Sequence, residues 1–416
     1  MTEAASAGES PTTGPLAGLK VLELGTLIAG PFCTRLIAEF GAEVIKIEEP
    51  ASANSPGGDP IRRWRMMHGD TSLWWSVQAR NKQSVTVNMK HARGRDIVRQ
   101  LALAADVIVE NYRPGVLEKW GLGFEELKAE NSATIMVRLS GYGQTGPMRD
   151  SPGFGAIGEA MGGIRHVSGH PDRPPVRIGI SIGDSLAALH GAFGALAALR
   201  HRDATGGRGK GQGQMVDVAL YEAVFNLMES TVPEYDRFGF VRGRTGGALP
   251  GIVPSNTYSC ADGEAIVIAG NGDAIFKRLM TAIGRDDLAT DASLATNDGR
   301  VPRADEIDAA ISLWTNGRTI NAALEALNAA SVPAGRIYSV ADMTTDPQFL
   351  ARRMFETHLL ADGTPVKLPA IVPKLSATPG TTRWLGPTLG EHTDAVLAAL
   401  GHDAASIAAL HAEGAV

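Results

Sequence analysis

Cysteine is nearly absent: Cys33 and Cys260 are the only two in 416 residues. They are too few for a disulfide framework and lack metal-ligand spacing, so a reducing compartment is the expected setting. Charge of one sign is also scarce. A net charge of −6 argues against a general nucleic-acid or anionic-membrane binder. No apolar run approaches about 18 residues without a polar break, which disfavours a membrane span. The opening residues, MTEAASAGESPTTGP, have neither the basic start nor the apolar core of a secretion signal, and residues 1–15 read as a flexible tail. The expectation is a cytoplasmic protein with no nucleic-acid or membrane partner.

Several catalytic signatures are missing as well. The first strand-to-helix turn reads Gly25-Thr-Leu-Ile-Ala-Gly30-Pro31, without the G-x-G-x-x-G of dinucleotide binders, and Pro31 removes an N–H that a pyrophosphate would need. In GGRGKGQ, Lys210 is followed by Gly211 where a phosphate loop has Ser or Thr. The ten histidines form no H-E-x-x-H pair, and His190 reads as a core side chain; no metal site is expected. No G-x-S-x-G elbow marks a hydrolase.

What is present is an ordinary globular composition, 44% apolar and 20% charged. LKVLELG, AEVIKIE, SVTVNM, DVIVENY and ATIMVRLSG read as strands, with FCTRLIAEFG and GRDIVRQLALAA as helices between them. Such alternation over Leu16–Gly141 predicts a doubly wound α/β layer around a parallel sheet. From about Pro233 the texture becomes hairpin-like and then Ala-rich helical, which predicts a smaller α+β domain. The expected boundaries are 16–225 for the first part of the large domain, 226–344 for the small domain with its linkers, and 345–416 for a segment returning to the large domain.

One carboxylate stands out. In GISIGDSLAALHGAFGALAALR, Asp184 is the sole acid at the mouth of an apolar helix. Capping explains such an Asp by itself, since its oxygen accepts an orphan N–H and its charge suits the helix end. A catalytic carboxylate would want the same place.

The ordered stretches LKVLELGTLIAGPFCTRLIAEFGAEVIKIE, RNKQSVTVNMK, DVIVENYRPGVLEKWGLG, LSGYGQTGP, IGDSLAALHG, GKGQGQMVDVALYEAV and LGEHTDAVLAALG together resemble the class III coenzyme A transferases, the group of formyl-CoA transferase and carnitine CoA-transferase. The resemblance runs from Leu16 to about Gly401. It implies a Rossmann-like large domain made from both chain ends, a smaller domain on long linkers, and two ring-like chains interlocked as a homodimer. It implies CoA and acyl-CoA as substrates, small carboxylic acids as partners, and no permanently bound cofactor.

By the same resemblance Asp184 is the nucleophile, and Leu27, Ile28, Ala29, Val87, Asn88, Met89, Lys90, Asn111, Tyr112, Arg113 and Lys119 match CoA-contacting stretches. Backbone N–H groups of Ser140, Gly141, Tyr142, Gly143 and Gln144 are candidate oxyanion donors. Glu49 departs from the formyl-CoA transferases, which carry arginine there; Lys46 or Arg80 is the candidate replacement. GQTGP and PPVRIGISIGD look like members that use succinyl-CoA and a dicarboxylic acid, with Arg177 a candidate partner for the distal carboxylate. Two other readings stay open: an α-methylacyl-CoA racemase, although Phe154 stands where that group has its histidine, and a non-catalytic acyl-CoA binder.

Overall fold

The structure is a computed structural model describing residues 13–416; most of the expected flexible tail, residues 1–12, lies outside them. Residues 13–15 are packed down: a side chain on Gly14 would overlap the Phe40 carbonyl, and one on Gly41 would meet the Thr13 carbonyl at 2.7 Å. The described residues divide into two compact units, residues 13–164, 178–232 and 353–416 forming one, residues 165–177 and 233–352 the other. The segment 165–177 thus groups with the smaller unit, outside the 226–344 boundaries the sequence suggested.

The larger unit is built on six strands, β1 (Lys20–Glu23), β2 (Glu43–Glu48), β3 (Lys82–Thr86), β4 (Val107–Glu110), β5 (Ile135–Ser140) and β6 (Met215–Ala219). All neighbours pair in parallel, in the order β3-β2-β1-β4-β5-β6. Every residue of β4 and β5 is buried, as expected of strands covered on both faces. One face packs against α1 (Ala29–Ala38), the other against α2 (Ala92–Ala104) and α3 (Phe124–Glu130). The C-terminal segment returns to this unit. Thr393 takes the Thr86 N–H on its hydroxyl at 2.9 Å, and Asn88 N–H donates to the Ala415 carbonyl.

Beside α1 lies α5 (Ile182–Ala204), which follows the short α4 (Gly155–Met161). Its inner face is Ala187, Ala188, Gly191, Ala192, Ala195 and Ala198, all buried. A Cβ on Gly191 would stand 3.2 Å from Cys33 Sγ, Leu139 and Val137, so small residues let this helix press onto α1 and β5. Among the described residues α5 is the one helix long and apolar enough to cross a membrane; here that inner face is core.

The smaller unit holds an antiparallel sheet of β7 (Ser255–Ser259), β8 (Ala265–Ala269) and β9 (Ala334–Arg336), with β8 central. Helices α7 (Asp273–Ala282), α8 (Ala304–Asn316) and α9 (Ile320–Ala329), numbered after α6 (Leu220–Phe225) of the larger unit, complete its core. The hairpin β7–β8 falls where SNTYSCADGEAIVIA promised one.

Candidate active site

In an open parallel sheet, ligands sit beyond the carboxyl ends of the strands, where the strand order reverses. Here that point lies between β1 and β4, and a cavity of about 320 Å³ opens there. Its wall comes from Thr26 after β1, Lys46–Glu49 at the end of β2, Gly58–Pro60, Val87–Lys90 after β3, and Tyr112 with Trp120 after β4. Tyr112 and Trp120 meet edge-to-face, 5.7 Å apart at 82°.

Beneath the cavity lies a buried ionic network. Glu23, at the end of β1, accepts from Lys46 at 2.7 Å and from Lys82 at 2.7 Å. Lys46 also donates to the Gly25 carbonyl and pairs with Asp59. Burial opposes the charge on Glu23, but the two ammonium groups outweigh it and hold its pKa down at about 2. Glu48 binds Arg62 twice, at 2.7 and 2.8 Å, and takes the Ser84 hydroxyl. The Arg62 guanidinium lies 3.7 Å over Trp75, so this buried arginine is part of the structural network.

This network disposes of both candidates for the missing phosphate-binding arginine. Lys46 is committed to Glu23, Asp59 and Gly25, while Arg80 is buried and committed to Glu39 and the Pro369 carbonyl. Lys46 has no donor left for a ligand, and Arg80 is buried and lies outside the cavity lining.

Of the expected CoA-contacting residues, Val87, Asn88, Met89, Lys90 and Tyr112 line the cavity. Leu27, Ile28 and Ala29 do not; Thr26 does. Ala29 opens α1 and is buried. Leu27 has a left-handed backbone, φ 64°, held by its N–H on both Asp59 oxygens, a conformation that costs about 1–3 kcal/mol without such support. Asn111 is a strut for this turn: its carbonyl accepts the Thr26 N–H and its amide donates to the Thr26 carbonyl. Arg113 and Lys119 are exposed and lie outside the cavity lining. Trp120 and Thr26 were not singled out from the sequence.

Asp184 is not the cap of α5. The helix starts at Ile182, Ser181 is the flanking residue with no side-chain cap, and Asp184 is third in the first turn. Its half-buried carboxylate lies against the backbone of Gly155: a Cβ there would overlap both Oδ2 and Cγ. On Gly183 a Cβ would stand 3.0 Å from the Gly155 carbonyl. The bare Gly155 therefore defines where this carboxylate rests, Gly183 lets the backbone at 155 approach α5, and α4 can begin beneath Asp184 only because residue 155 is glycine.

The loop after β5 reaches the same shelf. Gly141 packs on Gly153, a Cβ on the former standing 2.9 Å from the latter's Cα, and Tyr142 borders Gly153. Ser140–Gln144 and Asp184 thus flank opposite ends of the stretch 153–155. Two of the proposed oxyanion donors are already spent, because Gly143 N–H donates to Ser140 Oγ at 2.9 Å and Gln144 N–H to Asp217 Oδ2 of β6 at 2.9 Å. The loop's N–H groups without such a partner are those of Gly141 and Tyr142. Asp217, unnoticed in the sequence, fixes the loop from β6; partial burial pushes its carboxyl up. Arg177 is exposed and belongs to the smaller unit.

A sequence profile described as CoA-transferase family III matches residues 16–393. The succinyl-CoA–D-citramalate CoA-transferase of Chloroflexus aurantiacus is 50% identical over 379 residues, covering 91% of this chain and 92% of that protein. The beta subunit of succinyl-CoA–L-malate CoA-transferase from the same organism is 41% identical, covering 93% and 94%. Among solved structures, a CaiB/BaiF family protein from Brucella suis superposes with a TM-score of 0.80 at 34% identity, over 93% of this chain and 100% of that one.

Proposed function

The chain belongs to CoA-transferase family III, and from that premise we propose that it moves CoA from succinyl-CoA to a small dicarboxylic acid, with Asp184 as the nucleophile. The observation that carries this reading is the Asp184 carboxylate resting in the first turn of an apolar helix against the bare backbone of Gly155. The donor and acceptor classes come from the D-citramalate and L-malate enzymes to which the chain is similar.

In the proposed sequence, an Asp184 oxygen attacks the donor thioester carbonyl and CoA thiolate leaves, forming an aspartyl–acyl anhydride. The thiolate attacks the aspartyl carbonyl, the donor acid departs as carboxylate, and an aspartyl-CoA thioester remains. The acceptor carboxylate attacks that thioester and expels the thiolate, giving a second anhydride. Thiolate attack on its acceptor carbonyl yields the new acyl-CoA and restores Asp184. No net proton moves, and the thioester's energy is conserved through each covalent stage. The Gly141 and Tyr142 N–H groups are the proposed donors to the developing oxyanion, each worth about 3 kcal/mol in such a role. The first turn of α5 puts Asp184 at the positive end of the helix dipole, which suits a carboxylate nucleophile.

Racemisation needs a second proton acceptor. The residue adjoining Gly155 is Phe154, which has none to offer.

The nucleotide end of CoA is placed in the cavity at the strand ends, with Tyr112, Trp120 and Met89 as apolar surface. We place a second copy of the chain, interlocked with the first, over the apolar residues that α5 leaves exposed, Leu189, Phe193 and Leu196, the middle one 73% accessible. They recur at helical spacing on one face. Light scattering should give twice the 43.7 kDa chain mass, and Phe193→Glu should give monomer; a monomeric parent contradicts the assembly.

The function is tested by a panel of CoA thioesters against free acids. Succinyl-CoA with four- and five-carbon dicarboxylates should turn over fastest. Preference for monocarboxylates would refute the substrate class and remove the proposed role of Arg177. Solvent deuterium entering the α-carbon of a 2-methylacyl-CoA without an acceptor acid would favour the racemase instead.

A further inference from the structure

The strand-end cavity is lined by three carboxylates, Glu48, Glu49 and Asp59, and two ammonium groups, Lys46 and Lys90. Glu48, Asp59 and Lys46 are buried in the network described above. Among the described residues that leaves one exposed cation on the cavity wall, Lys90. Its Nζ is already held by Glu49 Oε1 at 2.9 Å, with both side chains largely in solvent, 80% and 54% accessible.

The backbone under Lys90 is fixed. Its N–H donates to Asn88 Oδ1, and Asn88 in turn donates from its amide to the Gly414 carbonyl. Lys90 therefore swings a flexible ammonium from a rigid base at the cavity mouth, and Glu49 is the group that holds it.

Resting on the reading that this cavity receives CoA, we propose that Glu49 competes with a CoA phosphate for Lys90 and so weakens the enzyme's hold on free CoA. A phosphate entering the cavity displaces the Glu49 carboxylate from Lys90, since one compact ammonium beside two anions suffers the repulsion between them. Removing the Glu49 charge eliminates both the competition and the repulsion. In a reaction where the same thiolate must be bound, released and recaptured, a weakened grip on the nucleotide speeds product exchange.

The test is calorimetric titration of the full-length protein with CoA, dephospho-CoA and pantetheine, in the parent, Glu49→Gln, Lys90→Ala and the double variant. Glu49→Gln should tighten CoA binding about three- to ten-fold, the gain should shrink as salt is raised, and it should be smaller when Lys90 is alanine, where only the repulsion remains to be relieved. A gain confined to CoA assigns the competition to the 3′-phosphate; a gain shared with dephospho-CoA assigns it to the diphosphate; either supports the proposal. Unchanged or weaker CoA binding by Glu49→Gln overturns it, as does an equal gain with pantetheine or one that is undiminished in Lys90→Ala. A parent protein that binds none of the three refutes the CoA cavity itself, an outcome distinct from a flat response in a parent that binds CoA.

Discussion

The shelf under Asp184 and the floor of the strand-end cavity are built by opposite means. The shelf is defined by what is missing: Gly155 presents no side chain and the Asp184 carboxylate occupies the space it leaves, while Gly153 and Gly183 admit Gly141 and the Gly155 carbonyl at close range. The floor is defined by what is crowded in: Glu23, Lys46, Lys82, Asp59, Glu48 and Arg62 are buried and bonded to one another. Shape positions the proposed nucleophile, whereas charge pairing holds the strand ends and the β1–α1 turn. Substitutions on the shelf should therefore strike turnover, and those in the floor should strike stability.

Gly155→Ala should show the largest contrast. Its methyl group must push the Asp184 carboxylate aside, and a displacement of order 1 Å costs about a hundred-fold in rate. Steady-state kinetics should show kcat falling by about that factor with the KM for the acyl-CoA little changed and the far-UV spectrum intact. Parental kcat would mean that the shelf does not set the carboxylate.

Glu23→Gln tests the other half. It leaves two buried ammonium groups without their carboxylate, and breaking a buried pair costs about 3–5 kcal/mol, which urea unfolding would read. The acid limb carries the same signature. With the folded pKa of Glu23 held at about 2, below its unfolded value, its contribution is complete above the unfolded pKa. It is lost as pH falls from that value through about 2. The parent should lose stability over that window more steeply than Glu23→Gln; parallel curves would refute the role of the pairing.

Asp217→Ala should have the smallest effect. It frees the Gln144 N–H and loosens one end of the 140–144 loop, lowering kcat by about ten-fold without moving the unfolding midpoint by more than about 1 kcal/mol. A stability loss as large as that of Glu23→Gln would place Asp217 with the floor rather than with the shelf.

The sheet was legible because each of its strands is a short apolar run bounded by glycine or a polar turn, and hydrophobic period is a local signal. Strand ends were less so: Val87–Met89 read as strand but lie beyond Thr86, where the chain turns toward Gly414 and Ala415. Asp184 was visible because a single acid ahead of the long apolar run to Leu199 is conspicuous in sequence, although its place in the first turn, not at the cap, required the backbone. What sequence could not give were meetings between distant segments. Nothing in FGAIGEA says that Gly155 faces Asp184, nothing near Asp59 says that it holds Leu27, and the burial of Lys46 and Arg80 became apparent only once Glu23 and Glu39 stood beside them. The resemblance to class III CoA-transferases supplied positions for CoA contact, and the structure sorts them into cavity wall, turn supports and exposed charges.

The account rests on Asp184 becoming acylated. Incubation with succinyl-CoA, quenching with borohydride and peptide mass spectrometry reads this directly, since reduction of an aspartyl thioester leaves homoserine at position 184. The predicted result is that conversion at Asp184 alone, dependent on the acyl-CoA and absent in Asp184→Asn, which folds but does not transfer CoA. An unmodified Asp184 in actively turning-over enzyme, with Asp184→Asn working at the parental rate, would contradict it.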